Sequence, residues 1–200
     1  MKVDIQDILF WMDAIRNSED RYRTLESFWK GQINSKIWLI EKLQEHIELD
    51  DNSIEICAGW NGVLASLLFN SNIPITTISS IDIDPECEEV ANTINKRYHI
   101  DGKFQAITAD MSKYYYGADI IINTSCEHLT QEQYEAWLDL VPADSLIVLQ
   151  SNNFTDIEEH IRCAFDIDDF VRMSKINPIY KDTLSLPLYN RYMIIGKRSS

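Results

Sequence analysis

No run of Lys or Arg occurs in this sequence; its longest basic clusters are the pairs Lys96-Arg97 and Lys197-Arg198. With 18 Lys and Arg against 32 Asp and Glu, the formal net charge is -14. Such a surface repels a phosphate backbone, so tight nucleic-acid binding is disfavoured, and the acidity otherwise serves solubility. Cysteine is sparse: Cys57, Cys87, Cys126 and Cys163 make no CxxC pair and no disulfide framework. Cys57 and Cys126 sit in apolar strand-end contexts that suit reduced thiols. No stretch approaches the ~18 apolar residues of a membrane-spanning helix. The first residues carry acids, Asp4 and Asp7, where a secretory leader needs an apolar run. The cytoplasm is the compartment these absences lead one to expect. No internal repeat, low-complexity stretch, conventional metal cluster or Ser-His-Asp order stands out.

What is present suits one globular domain: 200 residues, 45% of them hydrophobic and 25% charged. The opening part reads as helical. Ile5, Ile8, Leu9, Met12 and Ile15 recur at helical spacing over Val3–Ile15, and Asn17 and Ser18 break the pattern. A second helix is expected near Glu19. A third, Asn34 to Glu48, presents Ile37, Ile40, Leu43 and Ile47, with Asn34 or Ser35 as its cap and Gly31 at the preceding bend. Asp50-Asp51-Asn52 ends the helical part. Residues 1–52 are thus expected to form a helical extension or lid, and residues 53–200 one compact unit.

From Ser53 onward strands and helices alternate. Strands are expected at Ser53–Cys57, Thr76–Asp82, Phe104–Thr108, Asp119–Asn123 and Ser145–Gln150. Helices are expected at Asn61–Asn70, Glu86–Tyr98, Gln131–Leu140 and Asp156–Ala164. Two last strands, near Phe170–Ile176 and Tyr189–Gly196, are joined by a loop holding Pro178 and Pro187. Alternation with short connections implies an α/β fold, a parallel sheet covered on both faces. The final pair has no helix between its strands and should form an antiparallel hairpin at the sheet edge. Lys197-Arg198-Ser199-Ser200 is a polar end expected to fray.

Four clusters fall at carboxyl ends of parallel strands, where open α/β sheets bind ligands. The first is Glu55-Ile56-Cys57-Ala58-Gly59-Trp60-Asn61-Gly62, a strand–turn–helix whose helix start offers free N–H groups. Its glycine pattern is incomplete: Cys57 takes the place of the first glycine of a dinucleotide site, and Trp60 is bulky. A pyrophosphate fits this turn poorly, which disfavours an NAD-dependent oxidoreductase. The second is Asp82, between Ile81 and Ile83, placed to accept from ribose hydroxyls; Asp84 reads as a local helix cap. The third is Asp110-Met111, with Asp110 suited to an exocyclic amine and Met111 to packing on a base. The fourth is Asn123-Thr124-Ser125-Cys126-Glu127-His128.

The order of these motifs resembles the class I S-adenosylmethionine-dependent methyltransferases over about residues 53 to 197. Glu55, Gly59 and Gly62 match that family's acid and glycine-rich turn, Asp82 its ribose-binding acid, and Asp110-Met111 its adenine-contacting pair. Glu127-His128-Leu129 is similar to the motif after the fourth strand of many small-molecule methyltransferases. Tyr192-Met193-Ile194-Ile195-Gly196-Lys197 looks like the family's final antiparallel strand. The resemblance implies a Rossmann-like seven-stranded sheet of order 3-2-1-4-5-7-6 with strand 7 antiparallel. It implies S-adenosylmethionine as cofactor, held by Glu55, Cys57, Gly59, Trp60, Gly62, Asp82, Ile83, Asp110, Met111 and Asn123. The sequence departs from the family at Cys57 and Asn61, and at Val141-Pro142-Ala143-Asp144 where Pro-Gly-Gly is usual. Ile81-Asp82-Ile83-Asp84-Pro85 and Thr108-Ala109-Asp110-Met111 are also similar to nicotianamine synthase-type enzymes, which transfer the cofactor's aminocarboxypropyl arm.

The expected activity is methyl transfer to a small polar acceptor; aminocarboxypropyl transfer and a non-catalytic binding module are the alternatives. His128 is the candidate base because imidazole titrates near neutrality; otherwise it packs on the next helix. Glu127 would orient His128 or hold an amine; otherwise it is a solvated helix-start acid. Asn152, after the fifth strand, suits a polar acceptor, whereas Asn153 reads as turn chemistry. Trp29, Gln32 and Lys36 are further acceptor-binding candidates, and Tyr114–Tyr116 could wall a pocket. Trp29 and Trp38 otherwise belong to the core. His46, His99 and His160 read as surface residues on or at the ends of helices.

Overall fold

The computed structural model describes residues 2–47 and 51–198. The expected third-helix end at Glu48, the turn residue Asp50, and Ser199-Ser200 lie outside the described residues. The chain divides by packing into two compact units, Met1–Asp110 and Met111–Ser200. Its strands form a seven-stranded sheet of order β3-β2-β1-β4-β5-β7-β6.

In the first unit, α1 (Ile5–Asn17) is capped by Asp4, whose carboxylate accepts from the Gln6 N–H at 2.9 Å. Asp20 likewise caps α2 (Arg21–Glu26) through the Arg23 N–H. The third helix, α3, runs Lys30–His46, four residues earlier than expected at its start. Gly31, Asn34 and Ser35 therefore lie inside α3 and neither bend nor cap it. Trp29 occupies the cap position without a side-chain bond, so the chain turns into the helix through the backbone at Phe28–Trp29. Then come β1 (Asn52–Cys57), α4 (Val63–Phe69), β2 (Ile75–Asp82), α5 (Glu86–Ile94), α6 (Lys96–Ile100) and β3 (Phe104–Thr108). The expected helix over Glu86–Tyr98 is two helices. Asn95, between them, is buried and turns its amide to the Gly62 and Ala91 carbonyls instead of solvent.

Parallel pairing sets Cys57 beside Ile81 and Asp82 beside Thr108. The turn after β1 and the acid ending β2 are therefore neighbours by register. Helix α1 packs on α5. Asp7, 1% exposed, accepts from Asn70 Nδ2 at 2.7 Å and pairs with Arg97 at 3.1 Å.

In the second unit, β4 (Ile120–Asn123) is wholly buried, as its apolar run requires. Helix α7 (Gln131–Leu140) starts at a capping box between Thr130 and Gln133. It is followed by β5 (Leu146–Asn152), α8 (Ile167–Ser174), β6 (Ile176–Ser185) and β7 (Asn190–Arg198). β5 pairs parallel with β4 and antiparallel with β7, and β7 pairs antiparallel with β6.

Two expectations are corrected here. Asp156–Ala164 is not a helix but an irregular segment. Ile157 and Ile161 stay largely accessible, so an amphipathic helix would have no apolar surface to cover, and the backbone bonds elsewhere: Ala164 N–H to the Asn152 carbonyl, Arg162 N–H to the Glu127 carbonyl. The helix comes later, as α8, where a strand was expected over Phe170–Ile176. Asp166 caps the Asp169 N–H at 2.8 Å, Phe170 is fully buried, and Lys175 ends the helix with a left-handed φ of 53°. Pro178 accordingly belongs to β6, at a register shift where a strand tolerates a missing N–H, and only Pro187 stays in the connecting turn. Among the described residues no helix is long and apolar enough to cross a membrane.

Candidate functional site

The turn after β1 is held by backbone geometry that few sequences accept. Ala58 and Trp60 both take φ of 49°, a region that side chains with a Cβ seldom adopt, and Gly62 opens α4 at φ 70°. Asp82 fastens the turn: one carboxylate oxygen accepts from the Trp60 N–H at 2.8 Å, the other from the Asp84 N–H at 3.0 Å. Gly59 donates its N–H to the Ile81 carbonyl at 3.0 Å, and an added Cβ would stand 2.0 Å from Ser80 Oγ. The missing first glycine is thus no obstacle, since the close approach occurs at Gly59.

Asp84 accepts from the Glu86 N–H at 3.0 Å, the local cap the sequence indicated. That bond and Arg23 hold its carboxyl below the usual range. Arg23, which the sequence reading missed, reaches from α2 to Asp84, Glu86 and Cys87. Burial and nearby Asp82 push the Cys87 thiol up to about 12. A cavity of about 510 Å³ is lined by residues including Ala14, Asn17, Arg23, Asn61, Glu86 and Thr93. Asn61 is 3% exposed, and its Nδ2 has no hydrogen-bond partner among the described residues.

The other expected cofactor residues of this unit vary in access. Glu55 and Cys57 are buried in β1, Ile83 is 71% exposed after β2, and Asp110 is partly accessible after β3. On α3, Lys36 donates to Gln32 at 2.7 Å, one helical turn away, while Trp29 is exposed rather than core; Trp38 is buried.

In the second unit, Met111 begins a 3-10 turn and its carbonyl accepts from Tyr116. Tyr116 is buried and packs edge-on against Tyr114 with ring centroids 5.1 Å apart, whereas Tyr115 is exposed. Past β4, Asn123 is fully buried; its Oδ1 accepts from the Ser125 N–H, and its Nδ2 has no partner among the described residues. The chain then enters a 3-10 turn, Cys126–His128. Glu127 is not a solvated acid. It is 3% exposed, and Oε1 accepts from Asn152 Nδ2 at 2.6 Å and from Arg191 at 2.7 Å. Its other oxygen, Oε2, is buried without a hydrogen-bond partner among the described residues. Asn152 is 2% exposed and its Oδ1 accepts from the Phe154 N–H, so its amide is fixed toward Glu127. Asn153 is exposed and bonds Asn190, a turn role as expected.

Arg191 comes from β7 at the register position opposite Asn152. A basic residue ahead of the apolar run Tyr192–Ile195 was the visible signal for it. His128 is exposed, and its ring packs 4.7 Å from that of His160. Partial desolvation of the His128 ring holds its pKa below the ordinary imidazole value. His160 is therefore not a bystander on a helix surface: it sits in the irregular segment, partly buried, with Nδ1 2.6 Å from the Phe154 carbonyl.

No family model matches this chain, nor does any curated protein. Solved structures do. A magnesium protoporphyrin IX methyltransferase from Synechocystis PCC 6803 with bound SAM superposes with a TM-score of 0.66 at 13% identity, over 98% of this chain and 92% of that one. The N-methyltransferase NodS from Bradyrhizobium japonicum WM9 gives 0.64 at 10% identity, over 84% and 97%. The nicotianamine synthase MtNAS gives 0.63 at 13% identity, over 96% and 70%. With the sheet order and the antiparallel β7 already in hand, this chain has the class I methyltransferase fold.

Proposed function

We propose that this chain is an S-adenosylmethionine-dependent methyltransferase acting on a small polar molecule. The observation that carries this reading is the Asp82 carboxylate fastening the strained turn at Trp60, set in a class I fold. The first unit suits a nucleoside without a pyrophosphate. Each Asp82 oxygen, having taken one backbone N–H, keeps a lone pair for ribose hydroxyls. Ile83 offers exposed apolar surface to a flat base, and Asp110 an acceptor for an exocyclic amine. Glu55, Cys57, Gly59 and Gly62 shape the turn and keep its backbone close.

S-adenosylmethionine, when bound, supplies an electrophilic carbon on a sulfonium. What remains for the chain is alignment, worth up to ~7–11 kcal/mol in well-held cases, and removal of an acceptor proton where there is one. Glu127 Oε2, buried and unpaired, favours an acceptor that presents an N–H or O–H. Asn152 and Arg191 act as positioning residues for that carboxylate. His128, whose pKa is drawn below the ordinary imidazole value by partial desolvation, offers a lone pair for the acceptor's proton.

Calorimetry of the purified protein with S-adenosylmethionine, S-adenosylhomocysteine and NAD is the first test. Micromolar binding of the first two and none of NAD is expected; failure to bind S-adenosylmethionine would sink the reading. Mass spectrometry after incubation with cofactor and metabolite pools then identifies the transferred group. A second reading, aminocarboxypropyl transfer, is favoured by the likeness to nicotianamine synthase. It predicts methylthioadenosine as the nucleoside product, where methyl transfer leaves S-adenosylhomocysteine. Binding with no product of either kind would instead favour a non-catalytic module.

A further inference from the structure

We propose that Glu127, His128 and His160 form a binding site for one first-row divalent metal ion of borderline softness, with zinc as the reference ion. One carboxylate oxygen and one ring nitrogen from each histidine all lie within 4.8 Å of one another. At ordinary Zn–N and Zn–O lengths of ~2.0–2.2 Å the ligands of one ion lie no more than ~4.4 Å apart, so a side-chain adjustment of a few tenths of an ångström brings all three onto a single ion.

The donors are prepared in the way metal ligands usually are. His160 Nδ1 bonds the Phe154 carbonyl, which requires the proton on Nδ1 and leaves Nε2 as a bare lone pair. His128 makes a hydrogen bond with the Glu159 backbone of the kind that favours a ring N–H, leaving its other nitrogen available. Glu127 is 3% exposed, and its Oε2 has no hydrogen-bond partner among the described residues although a buried carboxylate oxygen without one is costly. Its Oε1 is fixed by Asn152 and Arg191, an outer shell that orients the carboxylate. Two imidazoles and one carboxylate leave coordination positions open, the arrangement of catalytic zinc and of non-haem iron sites rather than of closed structural ones. His128 is exposed and provides an entry path.

Charges around the cluster set the ion's class. Arg191 neutralises Glu127, and Arg162 lies close by, with its guanidinium on the Cys126 and Met173 carbonyls and Gln131. Retention must therefore come from the imidazole nitrogens, which selects transition-metal ions over magnesium or calcium. The assignment holds whichever group is transferred. It does alter two roles: with His128 and Glu127 on a metal, neither takes the acceptor's proton or N–H, and the ion as Lewis acid would lower the pKa of the acceptor's N–H or O–H so that the proton is released to solvent.

The test uses the full chain, stripped with chelator, titrated with zinc chloride by calorimetry without any S-adenosylmethionine. One tight equivalent is expected. His128→Ala and His160→Ala should each weaken it by more than ~100-fold, the upper end of what outer-shell changes cost. Both variants must keep the melting profile of the stripped parent, which is why the histidines and not Glu127 decide the matter. As a second measurement, cobalt(II) should give a visible ligand-field spectrum in the parent and lose it in His160→Ala. Absence of a tight equivalent in the parent, or unchanged affinity in both histidine variants, overturns the site. Because no cofactor is present, either outcome is separate from the fate of the methyltransferase reading.

Discussion

Replacing Gly59 with alanine asks whether the cofactor turn is shaped by close packing. The added Cβ would meet Ser80 Oγ at 2.0 Å and Ser80 Cβ at 3.2 Å, against 3.4–4 Å for ordinary contact. Ser80 is 3% exposed, and its hydroxyl has no hydrogen-bond partner among the described residues, so rotating Oγ away forfeits no bond. Rotation leaves the Cβ–Cβ overlap, which must be relieved by moving β1's turn off β2. Overpacking of this kind costs about 1–3 kcal/mol. For a chain of this size each kcal/mol lowers the melting temperature by roughly 2–4 °C. The same displacement, a few tenths of an ångström, lengthens the Trp60 N–H bond to Asp82, so affinity for S-adenosylmethionine should fall by up to roughly 10-fold, below the ~100-fold that a 1 Å misplacement carries. The second perturbation is Ser80→Gly in the Gly59→Ala background. It removes both clashing atoms and should recover most of the stability, whereas Ser80→Ala, which keeps Cβ, should recover only part. Scanning calorimetry and cofactor titration on the parent, Gly59→Ala, Ser80→Gly and the Gly59→Ala/Ser80→Gly double variant give the coupling directly. A Gly59→Ala protein that melts and binds like the parent, or one that Ser80→Gly fails to relieve, would refute the argument.

Arg191→Met should lower stability by about 3–5 kcal/mol in urea unfolding by stranding the buried Glu127 carboxylate, and adding Glu127→Met should return most of it. Arg97→Met, by leaving Asp7 at 1% exposure with Asn70 and Tyr98 but no cation, should loosen α1 and raise its amide exchange before the β1–β3 amides respond. The carboxyls of Asp4, Asp84 and Asp169 are held below the ordinary 3.8 by backbone N–H donors and arginines. Their support is complete above pH 3.8 and is lost as pH falls through the lower folded values, so stability should decline below that point and less steeply in Asp84→Asn. With Cys87 pushed up to about 12 and Cys163 also raised by burial, alkylation of the native protein at pH 8 should show no fast thiol. A rapid stoichiometric phase would contradict the burial described.

The elements legible in the sequence were those whose local pattern and tertiary use agree. β3 and α7 fall where expected, and Asp82 stands at its strand end because Ile81 and Ile83 frame it. The caps Asp4 and Asp20 went unread beside the periodicity, and helix ends shifted accordingly. Residues 156–164 misled because Ile157, Ile161 and Ala164 repeat at helical spacing, while the backbone there is claimed by Glu127 and Asn152, far away in sequence. The same long-range bonding hid His160, whose ring is oriented by the Phe154 carbonyl and a neighbouring histidine rather than by a helix. Arg23 and Arg191 escaped for a related reason. A cation's partner is set by register and packing, and neither is written in the residues beside it.

The placement of β7 also orders events in time. β5 pairs with β7 along its second edge, and β7, later in the chain, also pairs with β6; a docking of the β6–β7 hairpin as one unit would complete that edge late. Pairings so distant along the chain close slowly. Arg191 travels on that hairpin, so Glu127 can remain hydrated until the strand that covers it also delivers its counter-ion. Burial of the acid and arrival of its cation are one event, and the folding chain need not pass through a dry, uncompensated carboxylate. A chain halted before that docking step would own a sheet and no ordered acid.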